Sequence, residues 1–377
     1  MGNLSLPILT DDGASAPSKA FLQFPGLLLL RLMSRCNNHC IFCMVEDEIR
    51  TSDDVEYTTA LQRIQEQPAG TRIEFFGGEP TIYPRFLDLL RFARGHGYSC
   101  SIATHGRTFS SSSFTAKVAA LDPCQIYIRT SLYGDTAELH DYYTAAERSY
   151  VQTVQGIRNI VEAGFRCQVN CVIMKRNAER LSQMAALVHS WGVPRIKFSN
   201  LISVGSCEAE AVSLSTVRPY LAQAIELAES LGLTVTVEKT PVCAASGRLD
   251  LMSTERNLGR WTRSFDDEGE CGRCLVRRWC EGLDPEYAER FGYGDLRAFE
   301  RMPQQIIRRD VCEGAEPEFL KVHCVEVPDG PLDDDTLAAL AETLQSVEER
   351  FGRLAIFPRR FLTPNHSEQG ASPLHRR

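Results

Sequence analysis

The chain has 377 residues, with 41 Lys+Arg against 49 Asp+Glu for a formal net charge of -8, and 43% hydrophobic and 24% charged residues. This is the balance of a globular protein of one large domain with an appendage, or of two domains, rather than of a disordered chain. The acidic balance argues against a general nucleic-acid binder, whose affinity comes from neutralising phosphates, and no run reaches the roughly 18 apolar residues of a membrane helix.

Residues 1–22, rich in Ser, Ala, Gly, Asp and Pro, read as a flexible leader. The greasiest run, 24–33, is short, is broken by Arg31, and lacks a basic lead and a cleavage site, so it is not an export signal. From 23 to 205, short β-rich runs alternate with longer helical periods. The strand candidates are 26–33, 72–76, 99–104, 125–131, 166–174 and 195–201. After the second, Phe86, Leu89, Leu90 and Ala93 share a helical face before the stop signals Gly95 and Gly97. After the fourth, Val151, Val154, Ile157, Ile160 and Val161 do the same before Gly164. Six β units with helical crossovers predict an α/β fold, a parallel sheet curved into a partial (β/α)6 barrel, with reactive groups at the C-terminal ends of the strands.

Past residue 206 the alternation fades. A helix about 217–231 and a short strand at 234–238 lead into an irregular region rich in Cys, Gly and Arg, which predicts a smaller Cys-rich C-terminal extension over 206–325. Within 326–362, Leu337, Leu340, Leu344, Val347 and Phe351 repeat at helical spacing behind Asp333, Asp334 and Asp335. They predict an amphipathic helix that packs on the body. Residues 363–377 read as a disordered tail.

With no export signal, the expected compartment is the reducing cytoplasm, so the 14 cysteines are not read as a disulfide framework. Cys100, Cys124, Cys167, Cys171, Cys207 and Cys324 share no common spacing and are read as core. The other eight have ligand-like spacing. Directly after the first strand, Cys36-Asn37-Asn38-His39-Cys40-Ile41-Phe42-Cys43 places three thiolates as C-x3-C-x2-C. A structural zinc site wants four ligands, whereas three cysteines on a [4Fe–4S] cluster leave one iron open.

This loop resembles that of the radical S-adenosylmethionine (SAM) superfamily, and the order of motifs downstream agrees. The second strand ends in Gly77-Gly78-Glu79-Pro80, a turn that in the resembled family holds the methionyl amino group of SAM. Glycines allow close backbone approach, and Glu79 offers a carboxylate. The third strand ends in Thr104-His105-Gly106, with His105 where relatives often have Asn. The fourth ends in Arg129-Thr130-Ser131, where relatives' polar groups touch the SAM ribose or carboxylate. The resemblance spans about 27–201. It implies that a reduced cluster on Cys36, Cys40 and Cys43 cleaves SAM to methionine and a 5′-deoxyadenosyl radical, which takes a hydrogen atom from the substrate, with electrons from a flavodoxin- or ferredoxin-type reductant.

Farther on, Cys271-x2-Cys274-x5-Cys280 is similar to the SPASM and twitch extensions of radical SAM enzymes, which bind an auxiliary iron–sulfur cluster. Zinc is the competing reading for C-x2-C. Asp284 stands where a further C-x3-C cysteine would complete the SPASM motif, so one auxiliary [4Fe–4S] cluster is expected on Cys271, Cys274, Cys280 and Cys243, with Cys312 as the competing fourth ligand. The expected activity is oxidation, dehydrogenation or epimerisation of a sugar or small-molecule intermediate in natural-product biosynthesis. A peptide maturase forming a crosslink or an epimerised residue is the alternative. A non-catalytic zinc or iron–sulfur protein fits less well, because binding modules rarely need an open coordination position.

Overall fold

The computed structural model describes residues 21–24, 26–43, 54–201, 205–252, 263–277, 280–300, 324–327 and 355–358. Strands β1 (Phe21–Phe24), β2 (Leu27–Met33), β3 (Arg72–Gly77), β4 (Ser99–Ala103), β5 (Ile126–Ser131), β6 (Arg166–Ile173), β7 (Arg195–Asn200) and β8 (Thr234–Glu238) form one sheet in sequence order. β1 pairs antiparallel with β2, and β2 through β8 are all parallel. Between successive parallel strands run α1 (Tyr57–Gln65), α2 (Phe86–Gly95), α3 (Ser112–Ala119), α4 (Ala137–Thr144) with α5 (Ser149–Glu162), α6 (Leu181–Ser190) and α7 (Leu214–Ser230). Consecutive βα units in unbroken order are the plan of a partial α/β barrel.

The six expected strands lie within a residue or two of their predicted bounds. Two features were not expected. β8, read as a separate short strand, pairs with β7 from Arg195↔Thr234 to Ser199↔Glu238, giving seven parallel strands. The end of the supposed leader, Phe21 and Leu22, belongs to β1. Farther along, β9 (Cys324–Val327) and β10 (Ala355–Pro358) pair in a small parallel sheet. Cys312, the amphipathic repeat 337–351 and the tail 363–377 lie outside the described residues. No helix among the described residues is long and apolar enough to cross a membrane.

Side chains alternate across the sheet. Ile73, Phe75, Ile102, Ile128, Val169 and Phe198 are buried in one core with Phe86, Leu89, Leu90 and Ala93 of α2, as the helical face of α2 predicts. The opposite positions carry polar groups. Ser101 donates to Glu74 at 2.9 Å, and Arg129 pairs with the same carboxylate. Lys197 Nζ lies 3.2 Å from Glu238. Barrel strands are ordinarily apolar on both faces, so a polar inner face marks the ligand side.

Two expectations for buried side chains are corrected. Val151 is 55% exposed, because α5 is rotated so that Thr153, Gly156, Ile157 and Ile160 face inward. A Cβ on Gly156 would lie 2.1 Å from the Gly106 carbonyl oxygen, so the backbone approach of α5 to the end of β4 sets that rotation. Cys124 is exposed, since it sits in the short turn Pro123–Gln125 that enters β5. Cys100, Cys167, Cys171 and Cys207 are buried.

Candidate active site

The cysteine loop leaves the C-terminal end of β2 and is held by backbone. His39 N–H donates to the Thr144 carbonyl at 2.8 Å, Ile41 N–H to that of Tyr143 at 3.1 Å, and Cys43 N–H to that of Cys40 at 3.1 Å. Phe42 is buried, edge-on to Tyr133 with centroids 4.7 Å apart. Cys36, Cys40 and Cys43 all lie within electrostatic range of the Tyr133 phenol, whose pKa is raised first by burial and then by those neighbours. Cys36 Sγ accepts the Asn38 N–H at 3.3 Å, and burial pushes its thiol up to about 11.

Side chains distant in sequence close over the loop. Arg107 donates through Nη1 to the Asn37 carbonyl at 2.5 Å and to Asn38 Oδ1 at 2.6 Å, and through Nε to Gln152 at 2.7 Å. Ser149 Oγ reaches the same Asn38 oxygen at 3.3 Å. That leaves Asn38 Nδ2 as a buried donor without a partner. Behind it, His140 Nδ1 accepts the Tyr133 N–H at 3.2 Å while its Nε2 faces Ser149 Oγ at 3.4 Å; burial lowers His140 to about 3, so the ring is neutral. Three thiols with partial exposure and an orphaned amide donor beside them fit a sulfide-rich cluster, which accepts N–H bonds and keeps an open face.

The Gly-Gly-Glu-Pro turn adjoins this loop. Gly78 N–H donates to Met33 O at 2.8 Å and Glu79 N–H to Arg35 O at 2.9 Å. A Cβ on Gly77 would lie 2.4 Å from Met33 O, and one on Gly78 2.2 Å from Arg35 O. The close approach these glycines permit is therefore to the backbone entering the cysteine loop. Pro80 opens the short helical turn Pro80–Ile82, and the Glu79 side chain caps it. Fully buried Glu79 accepts from Thr81 N–H at 3.1 Å, Thr81 Oγ1 at 2.5 Å, Thr104 Oγ1 at 2.7 Å and His105 N–H at 2.9 Å. Four donors fill a carboxylate's ordinary capacity. His105 Nδ1 accepts the Arg107 N–H at 3.0 Å, so the ring proton is on Nε2, 2.6 Å from Asn37 Oδ1. The structure thus brings Glu79, Thr104 and the cysteine loop together. Arg129 is engaged with Glu74, one layer down, and Ser131 with Tyr133.

A second group of thiols lies past β8. Cys243, Cys271, Cys274 and Cys280 line one cavity with Val242, Phe265, Val276, Leu296 and Phe299. Phe299 N–H donates to Cys274 Sγ at 3.4 Å, and the N–H groups of Val242 and Gly282 donate to Cys280 Sγ at 3.4 Å. Burial lifts Cys280 to about 12. Among the described residues no three His, Cys, Asp or Glu side chains close on a single metal ion. Four thiols lining one cavity are a donor set that zinc or a multi-iron group could use. Asp284 caps α8 (Pro285–Phe291), accepting the N–H groups of Glu286 at 3.0 Å and Tyr287 at 3.2 Å.

What the sequence reading missed is the clamp of Arg107, Asn37, Asn38 and Ser149, and the buried Lys197–Glu238 pair. Ser199 donates to that pair's carboxylate at 3.1 Å and lies 2.8 Å from Asn170 Oδ1. The polar alternation of the strands was the available signal for the pair. Nothing local signals the clamp.

A parallel partial barrel with a three-cysteine loop at the end of its first parallel strand, braced by a Gly-Gly-Glu-Pro turn, defines a class. Residues 30–188 match the model of the Radical SAM superfamily. A match to that model implies SAM and a [4Fe–4S] cluster as cofactors. The mycofactocin maturase MftC of Mycobacterium ulcerans (strain Agy99) is 29% identical over 178 residues, 45% of this chain and 46% of that protein. An AdoMet-dependent heme synthase of Oleidesulfovibrio alaskensis is 22% identical over 227 residues, 58% and 54% of the two chains. The matches cover about half the length of these curated relatives. Streptococcus suis SuiB bound to its precursor peptide SuiA superposes with a TM-score of 0.51 at 17% identity, covering 63% of this chain and 54% of that one, a likeness of fold.

Proposed function

We propose that this chain is an oxidative radical SAM enzyme with one auxiliary [4Fe–4S] cluster. Cys36, Cys40 and Cys43 would hold the SAM-binding cluster, and Cys243, Cys271, Cys274 and Cys280 the auxiliary one, leaving no need for Cys312. When bound, the first cluster and SAM supply a 5′-deoxyadenosyl radical that removes a substrate hydrogen atom. The observation that carries the reading is that four thiols, three from one motif and one from the segment leaving β8, line a single cavity. An auxiliary centre there suits removal of an electron from the substrate, hence net oxidation or dehydrogenation.

The proposed substrate is a small natural-product or cofactor-like intermediate. The polar inner face, with Lys197, Ser199 and Glu238, supports a hydrophilic portion, and the two relatives are named for maturing mycofactocin and for making heme. A peptide precursor is the second reading, favoured by the match to a maturase. The proposed setting is the cytoplasm, with a flavodoxin or ferredoxin as reductant.

Iron and sulfide content after anaerobic reconstitution tests the assignment. The wild type should hold about eight irons and a Cys36/Cys40/Cys43→Ala variant about four. Four falling to none would remove the auxiliary cluster, and zinc at both sites would end the radical reading.

A further inference from the structure

Arg107 is not one of the motif residues, yet it makes the densest set of contacts to the cysteine loop. Its guanidinium bridges the Asn37 carbonyl and Asn38 Oδ1 on the loop and Gln152 on α5. Each of these partners is neutral, and among the described residues no carboxylate pairs with it. The cation also lies within electrostatic range of Cys36, where it opposes the larger influence of the buried Glu79 carboxylate. Two consequences follow. By holding Asn38 Oδ1, it aims the unpartnered Asn38 Nδ2, since the amide cannot turn without losing that bond. A half-buried positive charge whose hydrogen-bond partners among the described residues are all neutral also favours the more negative state of whatever binds the thiols.

We infer that Arg107 is the positioning residue of the three-cysteine loop and the charge that makes its cluster easier to reduce. The inference rests on the proposed cluster at Cys36, Cys40 and Cys43. Reduction adds one negative charge next to the guanidinium, and the electron comes from the external reductant, so the chain itself supplies only the favourable field.

The test uses the full chain, reconstituted anaerobically, as wild type, Arg107→Gln and Arg107→Lys. Dithionite titrations are followed by electron paramagnetic resonance, and the first cluster is identified as the signal that SAM alters. Arg107→Gln is expected to shift that cluster to a more negative midpoint potential and to lose its iron to a chelator several-fold faster, with the second site's iron retained as proof of folding. Arg107→Lys should restore the potential towards wild type but not the iron retention, because an ammonium lacks the planar fork. Unchanged potential and retention in Arg107→Gln would overturn the inference. So would equal loss of the first cluster in both variants, which would reduce Arg107 to packing. If the wild type gives no SAM-responsive signal, the proposed function fails first. The clamp is then judged on the iron-free chain: Arg107→Gln should speed amide exchange across residues 36–43, and an unchanged rate disposes of it.

Discussion

The two cysteine sites solve one problem in different ways. At the first, the thiols sit on a loop whose support comes from four other segments: the β3 turn, the end of β4, the end of α4 and the start of α5. Its neighbours are amides, a neutral imidazole and a guanidinium, and its cysteines remain partly exposed. At the second, the thiols face an apolar cavity and receive only backbone N–H groups, from Gly282 two residues away and from Val242 and Phe299, 38 and 25 residues away. Support from polar and charged side chains suits a centre that must admit and orient a charged ligand. An apolar cavity with backbone N–H donors suits a centre that only exchanges electrons, because excluded water and N–H···S bonds set its potential.

The sharpest way to break this contrast is at the first site. Cys40→Ala should abolish 5′-deoxyadenosine formation while leaving about four irons per chain; residual SAM cleavage above the reagent background would contradict the assignment. At the second site, Cys280→Ala should remove about four irons yet leave substrate-free SAM cleavage within about threefold of wild type, a difference of under 1 kcal/mol in barrier. Parallel loss of both would mean that the sites are not separable. Gly78→Ala forces a Cβ to 2.2 Å from the Arg35 carbonyl oxygen. It should cost about 2–4 kcal/mol in denaturant unfolding and selectively reduce iron at the first site.

The smallest effect is a pH slope. His140 is 1% exposed and its folded pKa is depressed to about 3, below the unfolded value of about 6.5. The unfolded chain takes up the proton first, so the stability His140 permits is complete above about pH 6.5 and is lost as the pH falls towards 3. Between pH 6.5 and 5 the wild type should lose about 2 kcal/mol more than His140→Gln. Parallel stability–pH curves for the two proteins would count against a buried neutral ring.

Much of this was legible in the chain. The strands announce themselves because the positions facing the helices, such as Ile73 and Phe75 or Ile126 and Ile128, are apolar at every second residue. The cysteine loop and the Gly-Gly-Glu-Pro turn announce themselves through spacing. The membership of β8 in the sheet was not legible, since its pairing with β7 bridges a helix and an irregular stretch. On α5 only Val151 departs from the expected face, while Val154 and Val161 pack against the core beside Ile157 and Ile160. The clamp is the extreme case. Asn37 and Arg107 are 70 residues apart, and only the parallel order of β2, β3 and β4 brings their strand ends side by side. The inner-face pair Lys197–Glu238 lay in plain view as polar residues in strands that otherwise read as buried.

Glu238, the last residue of β8 and a member of the polar inner face, is five positions before Cys243. A fully extended chain covers no more than about 18 Å over that interval. The strand therefore acts as a short covalent leash between the cavity of the barrel and the second thiol group. The Cys243 sulfur is thereby tethered close to the chamber where a substrate would be consumed, and Val242, Ala245, Leu249 and Leu251 anchor the same segment in the barrel's core.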